Sequence, residues 1–94
     1  MKNVIVVGTG LAGATAARLL AEAGHSVIMY EANNHIGGMC YDFIHPETNQ
    51  IVQEYGPHTC HSQSKEVWDF WSRFTEWREY VNLTFSYYKG EYYT

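Results

Sequence analysis

Gly8-Thr9-Gly10-Leu11-Ala12-Gly13 sits between a run of β-branched residues and a run of alanines and leucines. No other feature constrains the fold as tightly. Asn3-Val4-Ile5-Val6-Val7 is too short for a helix and is bounded by glycine, which predicts a strand over 3–7 buried on both faces. Ala14 to Ala23 carries alanine and leucine with Arg18 and Glu22 and predicts a helix. Gly24 stands where a C′ glycine ends one. Ser26-Val27-Ile28-Met29-Tyr30 predicts a second strand, closed by Glu31. Strand, helix and strand in about thirty residues make a βαβ unit with a parallel strand pair. The fold class is therefore α/β.

Beyond Glu31 the pattern changes. Asn33, Asn34, Gly37, Gly38, Pro46 and Asn49 punctuate a long loop with a short hairpin around 41–54. Tyr55-Gly56-Pro57-His58-Thr59-Cys60-His61 reads as a turn. Ser62 or Ser64 is placed to cap a helix with Glu66 in its first turn. Val67, Phe70, Trp71, Phe74 and Trp77 recur at helical spacing and predict an amphipathic helix over 65–78. Phe70, Trp71, Phe74 and Trp77 would form its core face, with Trp68 off that face. Residues 83–94 alternate as strand material around a Lys89-Gly90 turn, with tyrosines 87, 88, 92 and 93 on both faces. Lys65, Arg73, Arg78 and Lys89 read as a solvated rim.

Composition narrows the function. The 94 residues allow one domain at most. Six basic against ten acidic residues leave a net charge of −4, which opposes nucleic-acid binding. Leu, Ile, Val and Phe make 20 of the 94 residues, enough for a folding chain. No apolar run approaches ~18 residues, so no membrane helix is expected. Met1-Lys2-Asn3 does not read as the opening of a cleavable apolar leader, and the expectation is a cytoplasmic location with Cys40 and Cys60 as free thiols. His58-x-Cys60-His61 lacks the ligand spacing of a structural zinc site, and no metal is expected.

The glycine loop carries chemistry because of its context. Gly8 permits the tight turn out of the strand, Gly10 lets backbone approach a pyrophosphate, and Gly13 lets the helix pack closely on the strand. The helix N-terminus then offers unpaired N–H groups and partial positive charge to phosphate. Glu31, 18 positions beyond Gly13, is where a carboxylate accepts from both ribose hydroxyls, favouring FAD or NAD over NADP. Gly37-Gly38 permits backbone shapes that a Cβ forbids, and its place after Glu31 resembles the glycine pair that in many flavoproteins lets a loop fold back over the dinucleotide, a resemblance that favours the flavin. His35, beside that turn, is given no chemical role.

Tyr55-Gly56-Pro57-His58-Thr59-Cys60-His61, taken with His35-Ile36-Gly37-Gly38 and Tyr41-Asp42, resembles UDP-galactopyranose mutase. In that family a Gly-Pro-His or Gly-Ala-His run continues through an aromatic residue to His-Thr. A following helix carries Val-Trp or Ile-Trp, matched by Val67-Trp68, and Tyr80-Val81-Asn82 also fits. The resemblance spans essentially the whole chain. It implies a partial FAD-binding domain over 1–94, the N-terminal part of a larger flavoenzyme. It also implies UDP-galactose as substrate, interconverted between pyranose and furanose forms through an adduct on N5 of reduced flavin.

Carried over residue by residue, Gly8, Gly10, Leu11, Ala12 and Gly13 hold the pyrophosphate. Glu31 and Ala32 lie at the ribose, Gly38 and Met39 at the glycine-pair loop, and His58 and Thr59 beside the flavin ring. His58 helps shape the N5 side, and Asn82 approaches the UDP-sugar. Met39 departs from the family's frequent asparagine, and Thr59-Cys60 replaces a more apolar pair. Nothing in the chain matches the family's substrate domain, its diphosphate-neutralising arginines or the later strands of its FAD sheet. The isolated chain is therefore expected to be inactive and to bind FAD weakly at best, with a complementing chain or a second copy as its candidate protein partner. Two other readings stand beside this one. One is a different FAD-dependent oxidoreductase of amine-oxidase type, and the other a non-catalytic nucleotide-binding remnant.

Overall fold

The computed structural model describes all 94 residues. The chain divides into two compact units, Met1–His58 and Thr59–Thr94.

The first unit opens with β1 (Asn3–Val7), α1 (Leu11–Glu22) and β2 (Ser26–Tyr30). β1 and β2 pair in parallel, with Asn3 opposite Ser26 and Val7 opposite Tyr30. The ladder continues at both ends: Ser26 N–H donates to the Lys2 carbonyl at 2.9 Å and Gly8 N–H to the Tyr30 carbonyl at 2.7 Å. The helix begins at Leu11, three residues ahead of the expected Ala14. Gly10 takes an extended N-cap conformation (φ −69°, ψ −176°). Ala14 N–H reaches the Gly10 carbonyl at 2.9 Å, which closes the first turn early. The other end is as expected. Gly24 sits at φ +92°, its N–H bonds the Ala21 carbonyl at 3.0 Å, and His25 N–H bonds the Leu20 carbonyl at 3.1 Å. This is a Schellman closure, and it needs the left-handed residue that glycine supplies.

Alternation along the strands separates two faces of the sheet. Val4, Val6 and Val27 are half-buried, and Ala17 of α1 is the buried apolar residue of the unit. On the other face Ile5, Val7, Ile28 and Tyr30 are 64%, 83%, 55% and 57% exposed. The expectation that β1 is buried on both faces does not hold. A two-sided apolar strand needs a layer on each side, and α1 supplies one.

After β2 the chain turns through Gly37 (φ +101°) and Gly38 (φ +58°) into a single 3₁₀ turn, Gly38–Cys40. The hairpin expected around 41–54 follows as β3 (Asp42–Ile44) antiparallel to β4 (Ile51–Gln53), with Phe43 opposite Val52.

The second unit holds α2 (Lys65–Trp71) and the hairpin of β5 (Ser86–Tyr88) and β6 (Glu91–Tyr93). Ser64 caps α2, its hydroxyl accepting from Val67 N–H at 3.3 Å, with Glu66 in the first turn. The helix stops at Trp71 and does not run to 78. Trp77 folds back instead. Its ring lies edge-on to Trp68 at 5.1 Å, and its indole N–H donates to Ser72 Oγ at 2.9 Å. Residues nine apart project from opposite sides of a continuous helix, so the Trp68–Trp77 contact and the longer helix exclude each other. Trp68, expected off the apolar face, is the hub of this cluster. It also packs edge-on to Trp71 at 5.6 Å and donates its indole N–H to the Ser62 carbonyl at 2.7 Å. The terminal hairpin turns at Lys89-Gly90 as expected, both at positive φ (49° and 85°), the geometry of a tight two-residue hairpin turn. Its strands begin at Ser86, not at 83, and both of its faces are exposed. No helix of the chain is long and apolar enough to cross a membrane.

Candidate functional site

The mouth of the βαβ turn is built from backbone. Gly8 leaves β1 at φ +99°. The N–H groups of Leu11, Ala12 and Gly13, at the start of α1, have no carbonyl acceptor within the helix. Gly10, the N-cap, has no side chain to occupy them. The donors therefore face outward at the positive end of the helix dipole, an arrangement suited to phosphate. Gly13 explains how α1 comes so close to β1. A Cβ there would lie 2.1 Å from the Gly8 carbonyl oxygen and 3.5 Å from Val6 Cγ1.

Glu31, the first residue after β2, returns its side chain to this mouth. Its Oε1 accepts from Thr9 N–H at 2.9 Å and from the Thr9 hydroxyl at 2.5 Å. Its Oε2 accepts from Asn33 N–H at 2.9 Å. The Thr9 hydroxyl first, then the Asn33 and Thr9 amides, with a smaller contribution from His35, hold the carboxyl down from 4.5 to about 2. Glu31 is an anion at neutral pH, fixed by three donors and with acceptor capacity left over.

The second glycine pair lies directly against the first loop. Gly37 N–H donates to the Thr9 carbonyl at 3.0 Å, and a Cβ on Gly38 would lie 3.0 Å from Gly10 Cα. Backbone meets backbone there because neither glycine carries a side chain. Met39, in the 3₁₀ turn, is 63% exposed.

His35 organises the wall of a neighbouring cleft. Its ring stacks on Tyr41 (centroids 3.9 Å, 15° between planes) and its Nε2 lies 2.8 Å from the Tyr55 hydroxyl. Asn33, Asn34, Phe43 and Glu54 complete an open cleft of about 360 Å³. His35 thus joins the glycine-pair loop to the Tyr55-Gly56-Pro57-His58 segment. Sequence reasoning gave this histidine no role, since a histidine beside a turn is commonly solvated. The signal lay in the tyrosines at 41 and 55, which the sequence leaves far apart and the hairpin brings back.

A model of NAD(P)-binding Rossmann-like domains matches residues 6–74. The chain belongs to that family. Among relatives, it is 41% identical over 81 residues to a probable UDP-galactopyranose mutase of Klebsiella pneumoniae, a match covering 86% of this chain and 21% of that protein. It is 37% identical over 94 residues to a dTDP-fucopyranose mutase of Escherichia coli, covering all of this chain and 25% of that one. A UDP-galactopyranose mutase of Mycoplasma pneumoniae is 38% identical over 78 residues, which are 83% of this chain and 20% of the relative. The likeness is to the N-terminal part of such mutases, and the chain spans roughly a fifth to a quarter of their length.

In this Rossmann-like domain Gly8, Gly10, Leu11, Ala12, Gly13, Glu31 and Gly38 are gathered around one mouth. Ala32 and Met39 follow them in sequence and are exposed. His58 closes the first unit. It is exposed, with its carbonyl oxygen 3.5 Å from Gln53 Nε2. Thr59 and Asn82 fall in the second unit, both exposed and outside helix and strand. Cys40 and Cys60 are free and exposed. Thr9 is the residue that sequence reasoning missed. Its signal was a β-branched hydroxyl residue kept inside a loop otherwise made for small side chains.

Proposed function

We propose that the chain is the FAD-binding part of a UDP-galactopyranose mutase-like flavoenzyme. One observation carries the nucleotide half of this reading. The Glu31 carboxylate is held at the mouth of the glycine loop, anionic and beside outward-facing amides. A diphosphate needs the amides, and the adjoining ribose needs the carboxylate. The donor and acceptor chemistry fits FAD, with Gly8 to Gly13 at the pyrophosphate and Glu31 with Ala32 at the ribose. Gly38 and Met39 then lie along the dinucleotide, and His58 and Thr59 at the flavin ring. Bound and reduced, FAD supplies the nucleophile for the anomeric carbon of UDP-galactose. The chain's own part is to bind and orient. The loop amides neutralise the diphosphate, Glu31 fixes the ribose, His58 shapes the N5 side and Asn82 meets the sugar nucleotide.

Matches to three sugar-nucleotide mutases over 83–100% of the chain support this reading over an amine-oxidase type of flavoenzyme. An L-amino-acid oxidase of Mus musculus matches over 53% of the chain only, at 46% identity over 50 residues. The substrate chemistry of a cytoplasmic sugar-nucleotide mutase is part of the same proposal. FAD titrated into the purified chain tests it, followed by flavin fluorescence. Weak binding is expected, with no UDP-galactofuranose formed after reduction. Preference for NADP over FAD would overturn the cofactor reading, and turnover by this chain alone would overturn the expectation that it is inactive.

A further inference from the structure

Thr9 is 9% exposed, the buried polar residue of the chain. It sits between two glycines, and its β-branched side chain is stiff at χ1. Two of its donors converge on one oxygen: N–H at 2.9 Å and hydroxyl at 2.5 Å from Glu31 Oε1. Its carbonyl accepts from Gly37 N–H at 3.0 Å. Thr9 therefore holds Glu31 with one end and the second glycine pair with the other. Asn33 N–H, on Oε2 at 2.9 Å, is the other donor to the carboxylate, and His35 is the titratable group that bears on it from the following loop.

We propose that Thr9 is a positioning residue that locks the Glu31 carboxylate in place and thereby makes the site select a ribose with both hydroxyls free. This rests on Glu31 being the ribose-binding group. A fixed carboxylate accepts from the 2′- and 3′-hydroxyls and repels a 2′-phosphate, which carries about −1.5 to −2 charges at neutral pH. With the hydroxyl gone, Glu31 is held by the two amides alone, with one donor fewer to keep it from turning away from the phosphate.

The test uses this chain in four forms: wild type, Thr9→Val, Thr9→Ala and Thr9→Ser. Glu31 is followed by carbon-detected NMR titration of its side-chain carboxyl. Binding is followed by calorimetry with ADP-ribose and with 2′-phospho-ADP-ribose. Thr9→Val preserves shape and the amide bond. It is expected to move the carboxyl titration upward, to weaken ADP-ribose by about tenfold, and to narrow its advantage over the 2′-phosphate form. Thr9→Ser is expected to restore all three, which a purely steric role for Thr9 would not do. Thr9→Ala is expected to behave as Thr9→Val, and covers the case in which valine perturbs the fold. An unmoved carboxyl in both hydroxyl-free variants overturns the Thr9 proposal alone. If the carboxyl responds but wild type binds neither probe, the ribose role of Glu31 fails and takes the proposal with it.

Discussion

At the scale of single residues, the site depends on one anion and on the space that glycines leave for it. The folded carboxyl of Glu31 is held at about 2 against 4.5 unperturbed. A lowered value means the unfolded chain binds the proton first. The stability that Glu31 contributes is therefore complete above 4.5 and disappears as pH falls towards 2. Urea midpoints measured across that window are expected to fall less steeply in Glu31→Gln than in wild type, and equal slopes would contradict this account. Gly13→Ala should be costlier than its gain in helix propensity suggests. Its methyl would meet the Gly8 carbonyl at 2.1 Å, and overpacking of this kind costs roughly 1–3 kcal/mol. Thermal melts would show the loss, and an unchanged or raised midpoint would mean that α1 can shift off β1. The positions of Gly8, Gly13 and Glu31 were legible in the sequence because spacing alone sets them: strand, turn and helix lengths leave little freedom. Thr9 was not, because its role is a contact across 22 residues that no local pattern encodes.

At the scale of elements, β1, β2, the 42–53 hairpin and the Lys89-Gly90 turn follow from local chemistry, and the structure bears them out. α2 does not follow. Phe70, Trp71, Phe74 and Trp77 fit a helical period, yet Trp77 leaves it to reach Trp68 and Ser72. Periodicity records which residues could share a face, and a short helix whose aromatic partner is its own reversed tail satisfies the same residues differently. Trp68→Ala removes both edge-on contacts, each worth about 0.5–1.5 kcal/mol. Near-ultraviolet circular dichroism is expected to lose most of its tryptophan signal in that variant while the α1 helical signal in the far ultraviolet stays. Retention of the near-ultraviolet bands would show that the cluster does not organise this segment.

At the scale of the molecule, the strands of the βαβ unit are more apolar than one helix can cover. β1 and β2 align Ile5 with Ile28 and Val7 with Tyr30, all on the face away from α1 and all more than half exposed. Sequence reasoning found the apolar strands but not their bare face, since apolarity signals what a strand would bury and not whether a covering layer is supplied. The mouth of the glycine loop, where the nucleotide is proposed to bind, is formed by the end of β1, the start of α1 and the end of β2, and it does not draw on that face. The two properties should separate under mutation. Ile5→Thr combined with Ile28→Thr keeps β-branching at both positions while removing apolar surface from one cross-strand pair. The variant is expected to bind the apolar dye ANS several-fold less than wild type and to associate less with rising concentration, while its affinity for ADP-ribose stays within twofold. A parallel loss of nucleotide affinity would mean that the bare face supports the mouth after all.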